Sequence, residues 1–357
     1  MRYAVIMAGG KGTRLWPLSR RDRPKQLLRL FEGRSLLRHA FERLRGLFAP
    51  EQIHIITDQD HVAAVAAELP ELPQENIIGE PAIRDTANAI CLAAAILERK
   101  DPQAVAGIFT ADHIIRPVPT FVGRVDLAYR MAEEHPESIV TLGIQPTLPH
   151  TGLGYIHCGE PVADGVRWVQ DFKEKPDLVT AKQYLDSGEY YWNSGMFIWR
   201  AATVLREFQT HLPDAHKKLS QVAAEWPTDR GRELAGRFYP TLTKISFDYA
   251  IMEHAKRAIM VELPCEWTDV GSFSTLESLY EPDGHGNIRV AEARFAEIGS
   301  SGNIVVSEQD HLIAAIGVED LIIVHTPDAT LVCRKVDAQR IKDLAARLET
   351  EFGGRYA

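Results

Sequence analysis

The sequence predicts an α/β chain with a doubly wound mixed, mostly parallel sheet, followed by a small C-terminal β-helix-like domain. Three observations carry this. Short β-branched runs alternate with amphipathic stretches over the first 145 or so residues. An apolar pattern then repeats at an 18-residue offset after Pro282-Asp283-Gly284. The length of 357 residues, with 45% hydrophobic positions, allows about two domains at a prior of ~150 residues each. We place them at 1–283 and 284–357.

In chain order, the strand candidates are Tyr3–Ala8, Ile53–Thr57, Asn76–Ile78, Gly107–Thr110 and Ser138–Leu142. Between the first two, Leu36, Leu37, Ala40, Phe41, Leu44, Leu47 and Phe48 mark one helical face at a 3.6-residue period. Ala87, Ile90, Cys91, Ala94 and Leu97 repeat it after a cap candidate, Asp85 or Thr86. Phe121, Val125, Ala128, Tyr129 and Ala132 repeat it again. Strands alternating with helices imply βαβ units, whose ligands bind beyond the carboxyl ends of the strands.

From about 146 to 280 the pattern loosens into glycine- and aromatic-rich pieces, read as a lid of loops and short strands. Helical stretches follow near 201–225 and 246–256. In the last part, Asn303–Val306 recurs as Leu321–Val324, and Leu312–Ala315 as Thr330–Cys333. Eighteen residues is one rung of a three-sided parallel β-helix; a meander of hairpins gives similar short runs. A helix over about Ala338–Phe352 would cap the open end.

Forty Lys+Arg against 49 Asp+Glu leave a net charge of −9, which argues against nucleic-acid or anionic-membrane binding. No apolar stretch approaches the ~20 residues that span a bilayer. Cys91, Cys158, Cys265 and Cys333 lie far apart, as buried thiols in a reducing cytoplasm do. The strand-like opening gives no signal-peptide reading, so a cytoplasmic protein is expected.

The first strand runs into Gly9-Gly10-Lys11-Gly12-Thr13-Arg14-Leu15-Trp16-Pro17-Leu18-Ser19. A glycine-rich turn at a strand end lets backbone N–H groups face a phosphate. Lys11 and Arg14 add positive charge there, and Arg23-Pro24-Lys25-Gln26 supplies a second cationic cluster. The loop fits neither the P-loop nor the full dinucleotide fingerprint.

Gly-Gly-x-Gly-x-Arg-Leu-x-Pro-Leu-Ser followed by Pro-Lys-Gln resembles the signature of sugar-1-phosphate nucleotidyltransferases, and the Gln after Pro24-Lys25 is similar to the mannose-1-phosphate guanylyltransferase branch. Further pieces agree in order: Gly79–Ala87, Ala111-Asp112-His113, Thr151–Ile156, Phe172–Pro176, Trp192–Phe197 and Trp267–Ser272. They cover about three quarters of the chain. The resemblance implies a Rossmann-like sheet of the nucleotide-diphospho-sugar transferase type with a left-handed β-helix-like domain. It also implies GMP transfer from GTP to α-D-mannose 1-phosphate, giving GDP-mannose and pyrophosphate. The phosphomannose isomerase domain of longer members would not fit in this length. A transferase for another hexose or heptose 1-phosphate and a non-catalytic sugar-nucleotide sensor are the alternatives.

On that resemblance, Arg14, Lys25 and Asp112 are the catalytic candidates. Gly9, Gly10, Lys11, Gly12, Thr13, Arg14 and Lys25 would hold the triphosphate, with Lys11 nearly as well read as solvent-facing. Asp112 and Asp269 would bind Mg2+, a hard ion that prefers carboxylate and phosphate oxygens. A lone aspartate at a strand end otherwise serves as a cap or turn, and His113 reads better as a hydrogen-bonded histidine than as a ligand. Glu80 would accept from the adjacent N1–H and N2 amino groups of guanine, with the following backbone and Asp85 contributing; Arg84 and Asp85 otherwise pair together or cap the helix. Gly154, Glu174 and Asn193 suit hexose hydroxyls, and Lys175 the sugar phosphate. Strand neighbours point to opposite faces, so Glu174 and Lys175 share a ligand only if the chain turns at Pro176. Lys244–Asp248 is family-like without a physical role. A homodimer is expected, through a side of the β-helix.

Overall fold

A computed structural model describes residues 1–10 and 12–356, so Lys11 lies outside the described residues. The chain forms two compact units: Met1–Met7, Glu42–Thr110 and Ile115–Glu266 in the first, and Ala8–Phe41, Ala111–Ile114 and Trp267–Ala357 in the second.

The strands up to Asp269 are β1 (Arg2–Ala8), β2 (Ile53–Asp58), β3 (Ile77–Glu80), β4 (Val105–Thr110), β5 (His113–Arg116), β6 (Ile139–Ile144), β7 (Tyr155–Ala163), β8 (Val166–Lys173), β9 (Tyr190–Arg200), β10 (Ala258–Glu262) and β11 (Glu266–Asp269). The helices are α1 (Leu36–Leu44), α2 (Val62–Glu68), α3 (Thr86–Lys100), α4 (Val118–Glu134), α5 (Leu178–Ser187), α6 (Ala201–His211), α7 (Pro213–Glu225), α8 (Asp229–Phe238) and α9 (Phe247–Ala250). All five strand candidates and the three helical faces are present, the first helix ending at Leu44 before Leu47 and Phe48.

Unit one is built on a nine-stranded sheet in the order β3-β2-β1-β4-β9-β6-β10-β8-β7. β1 and β4 are parallel, as are β2 and β3, and β6 and β10. β9 runs antiparallel to both β4 and β6. β7 and β8 form a hairpin over Asp164-Gly165, with Gly165 at φ 65. A two-residue connection cannot make a parallel crossover, so β7 and β8 pair antiparallel, and with β9 they make the sheet mixed. The core combines Val5, Ile108 and Trp199 of the strands with Ile90, Leu92 and Leu97 of α3. Tyr129 of α4 donates to the Tyr3 carbonyl at 2.6 Å, tying helix to sheet.

Two expected helices are altered. The 201–225 stretch breaks at Leu212-Pro213, because proline lacks the N–H that continues a helix but starts one well. The 246–256 stretch shrinks to α9 and a 3-10 turn over Met252–His254, since Ile251 leaves helical geometry (φ −125) with its side chain fully buried.

Unit two joins the loop after β1 to the C-terminal strands. These are β12 (Ile288–Ala291), β13 (Arg294–Ile298), β14 (Ile304–Ser307), β15 (Leu312–Ile316), β16 (Leu321–His325) and β17 (Thr330–Arg334), then α10 (Ile341–Phe352). β14 pairs in parallel with β12 and β16, with Ile304 opposite Ile322, which is the expected 18-residue rung. β13 and β15 form a second parallel face. The expected repeat of Leu312–Ala315 as Thr330–Cys333 is not a rung. β17 instead folds back antiparallel on β16. The cause is a tight turn at Pro327-Asp328, closed by the Thr326 N–H on the Ala329 carbonyl at 2.9 Å. α10 begins three residues later than expected, after a 3-10 turn over Lys335–Arg340.

An apolar core joins the two parts of the unit: Leu15, Trp16, Leu18, Leu28 and Phe31 of the loop pack in it together with Val290, Ile304, Val306, Ile322 and Ile341. Truncation before residue 284 is therefore expected to give an aggregating, inactive protein, which light scattering checks; a monodisperse, active fragment would contradict this.

Candidate active site

In unit two, Gly10 (φ 122) and Gly12 (φ 60) take backbone conformations that glycine favours. A Cβ on Gly12 would lie 2.5 Å from the Lys25 Cβ, so this glycine lets the two arms of the loop press together. Ser19 Oγ donates to the Gly12 carbonyl at 2.7 Å and Gln26 Nε2 to the Ala8 carbonyl at 2.6 Å. Gly9, Thr13 and Arg14 are exposed, whereas Leu15–Ser19 are buried. Gly12→Ala is expected to lower activity while destabilising the loop, measured by turnover and by hydrogen exchange over residues 8–28.

The Lys25 ammonium stands between two carboxylates, 2.7 Å from Asp112 Oδ2 and 3.3 Å from Asp269 Oδ1. Burial disfavours both charges, yet the pairing prevails: the Asp112 carboxyl is held down to about 2, and the Lys25 ammonium sits above its usual range. His113 is buried beside them and accepts from the Trp267 indole N–H at 3.1 Å through Nδ1. Asp112, His113 and Asp269 each place a possible ligand atom within 4.8 Å of the others. The Val270 N–H on the Asp112 carbonyl, at 3.2 Å, holds the two aspartate segments in register. Arg14 donates to Gln339 Oε1 at 3.2 Å.

Unit one holds a second group. A Cβ on Gly154 would lie 2.5 Å from Glu174 Oε2, so the glycine lets that carboxylate come close to the backbone. Its carbonyl accepts the Asn193 N–H at 2.8 Å. Asn193 Nδ2 donates to Asp248 Oδ1 at 2.8 Å. β8 stops at Lys173, and Lys175 adopts φ 47, which brings its ammonium back onto the Glu174 carboxylate. The alternation of strand faces is thus broken one residue before Pro176. Glu80 ends β3 as a buried carboxyl; burial pushes it up to about 8, against the Tyr239 hydroxyl, and its Oε1 has no hydrogen-bond partner. Of the readings open for Arg84 and Asp85, capping holds: Asp85 accepts the Thr86 N–H at 2.9 Å, while Arg84 donates to the carbonyls of Tyr239 and Pro240. Asp85 does this at φ 66 and ψ 179, a region costing a non-glycine residue ~1–3 kcal/mol.

A family profile described as nucleotidyl transferase matches residues 3–283, and one described as MannoseP isomerase/GMP-like beta-helix domain matches 294–348. A mannose-1-phosphate guanylyltransferase of Escherichia coli is 41% identical over 96% of this chain and 73% of its own length. The chain belongs to the nucleotidyl transferase family, in its mannose-1-phosphate guanylyltransferase branch. A Klebsiella pneumoniae relative of the same name is 40% identical over all of this chain and 76% of its own. A solved structure named mannose-1-phosphate geranyltransferase, from Thermus thermophilus, superposes with a TM-score of 0.88 at 34% identity, covering 98% of this chain and 99% of that one.

For this nucleotidyltransferase the structure adds one residue to which the sequence assigns no role. Asp248 is half-buried beside Glu174, and burial together with that neighbouring charge pushes its carboxyl up to about 7. A carboxyl raised above its unfolded value stabilises the fold at low pH and loses that contribution as pH rises toward about 7. Asp248→Asn is therefore expected to gain stability relative to wild type between pH 5 and pH 8 in thermal melts; parallel curves would contradict it. A cavity of about 590 Å³ lined by Gln59, Val62, Ile77, Gly79 and Trp226 holds none of the site residues. Among the described residues no helix is long and apolar enough to cross a membrane.

Proposed function

We propose that the protein joins GTP and α-D-mannose 1-phosphate into GDP-mannose and pyrophosphate by in-line attack of the sugar phosphate on the α-phosphorus. The observation that carries this is Lys25 held between Asp112 and Asp269 in the glycine-loop unit. Nucleotidyl transfer needs positioned cations on the phosphates rather than a covalent intermediate. Arg14 and Lys25 neutralise the triphosphate, and the N–H groups of Gly9, Gly10, Gly12 and Thr13 face its oxygens.

The two aspartates fit Mg2+, because they offer hard oxygen ligands and His113 is engaged by Trp267. A divalent ion held by Asp112 and Asp269 would supply positive charge to offset that of the phosphates. Lys25, beside both aspartates, would then pair with the phosphates. Glu80 accepts guanine N1–H and N2–H, with the backbone at Asp85 as second contributor. Glu174, Asn193 and Asp248 take mannose hydroxyls beside Gly154, Asn193 also orients Asp248, and Lys175 meets the sugar phosphate. We propose further a cytoplasmic homodimer with a catalytic domain over 1–283 and a β-helix-like domain over 284–357, and no nucleic-acid or membrane partner.

Pyrophosphate release measured across four nucleoside triphosphates and several sugar phosphates tests the reading: turnover should favour GTP with mannose 1-phosphate, and turnover with UTP or dTTP alone would overturn the Glu80 assignment. Because Glu80 is held neutral below about 8 and guanine needs it ionised, GTP affinity should rise between pH 6 and pH 8, by at most ~10-fold per unit. Glu80→Gln should remove that difference; an equal pH dependence in both proteins would contradict it.

A further inference from the structure

The C-terminal strands present a pair of acids to the phosphate-binding loop. β14 and β16 are parallel neighbours with Ser307 opposite His325, so the turns that follow them emerge at the same end. Those turns carry Glu308 and Asp328. Glu308 engages both terminal nitrogens of Arg23, with Nη2 to Oε1 at 2.6 Å, and its side chain is only 19% exposed. Asp328 accepts from Arg20 Nη2 at 2.9 Å, while Arg20 Nη1 donates to the Tyr356 carbonyl and its guanidinium lies over the Trp16 ring.

Between these anchors the loop is closed by its own backbone. The Arg20 N–H donates to the Arg23 carbonyl at 2.9 Å, and the Arg23 N–H to the Arg20 carbonyl at 3.1 Å. Buried Pro24 follows, then Lys25 in a 3-10 turn with its ammonium on Asp112 and Asp269. Only Pro24, with its fixed φ, separates the bidentate Arg23 from Lys25. Surface ion pairs add little to stability, but a bidentate arginine–carboxylate pair sets geometry.

We infer that Glu308, with Asp328 beside it, is a positioning residue for Lys25, so that the β-helix-like segment sets the aim of the phosphate-binding loop from outside the site. This rests on the proposed role of Lys25 at the triphosphate. The pair acts through Arg23 and Arg20 and touches neither substrate.

The test uses the full chain in four forms: wild type, Glu308→Gln, the charge exchange Arg23→Glu with Glu308→Arg, and Asp310→Asn. Asp310 pairs with Arg294 in the same segment without reaching the loop, so its variant should match wild type. Glu308→Gln should keep its melting temperature within a few degrees while kcat falls ~10-fold or more, since small misplacements of catalytic groups carry such penalties. Hydrogen exchange over residues 19–28 should quicken at least several-fold in that variant. The charge exchange should recover most of both. Wild-type kcat and exchange in Glu308→Gln would overturn the inference, as would a well-folded charge exchange as slow as Glu308→Gln. A wild-type chain inactive on GTP would instead overturn the functional reading, while the exchange data still report on the clamp.

Discussion

Lys25→Ala is expected to lower kcat by on the order of 10²–10³-fold, the usual consequence of deleting one preorganised charge at a developing oxyanion. The fold should survive, because Asp112 and Asp269 keep 32% and 39% of their side-chain surface and water can solvate them. A second effect has the opposite sign. The ammonium lies between the two carboxylates, so a divalent ion bound by them would compete with it. Without Lys25, Mn2+ should bind more tightly to the nucleotide-free protein, as read by isothermal titration. Tighter ion binding with slower turnover separates this account from general damage; near-normal turnover would remove Lys25 from the reaction.

Asp112→Asn is the counterpart. The substitution removes the carboxylate nearest Lys25 and leaves Asp269 at 3.3 Å as the remaining anion of the pair. Turnover should fall by roughly 10²-fold or more, and the Mg2+ concentration needed for half-maximal rate should rise. The ordinary role of an aspartate at a strand end, capping or closing a turn, leads to a different result: a lower melting temperature and an unchanged metal titration. The same variant measured both ways decides between them.

Much of this arrangement is legible in the chain. The strand followed by the glycine turn, Arg14 and the Pro24-Lys25 pair stand out through local chemistry, whereas Asp112 at the end of an apolar run reads locally as a cap or turn and is singled out only by the family resemblance. What is not legible depends on tertiary packing. Asp248 sits on a one-turn helix with no periodicity to mark it, and only its closeness to Asn193 and Glu174 gives it a role. Glu308 and Asp328 look like ordinary turn acids until parallel pairing of β14 and β16 aligns them with Arg23 and Arg20. The reversal of β17 shows the opposite case. Its signal, Pro327-Asp328, is present in the sequence, but the apolar match of Thr330–Cys333 to Leu312–Ala315 conceals it.

The position of the divalent ion tests the central claim most directly. Crystals grown with Mn2+ and GDP-mannose should show an anomalous peak about 2.1 Å from carboxylate oxygens of Asp112 and Asp269, with Lys25 moved onto the diphosphate. An ion bound away from both aspartates, with Lys25 still between them, would contradict the account.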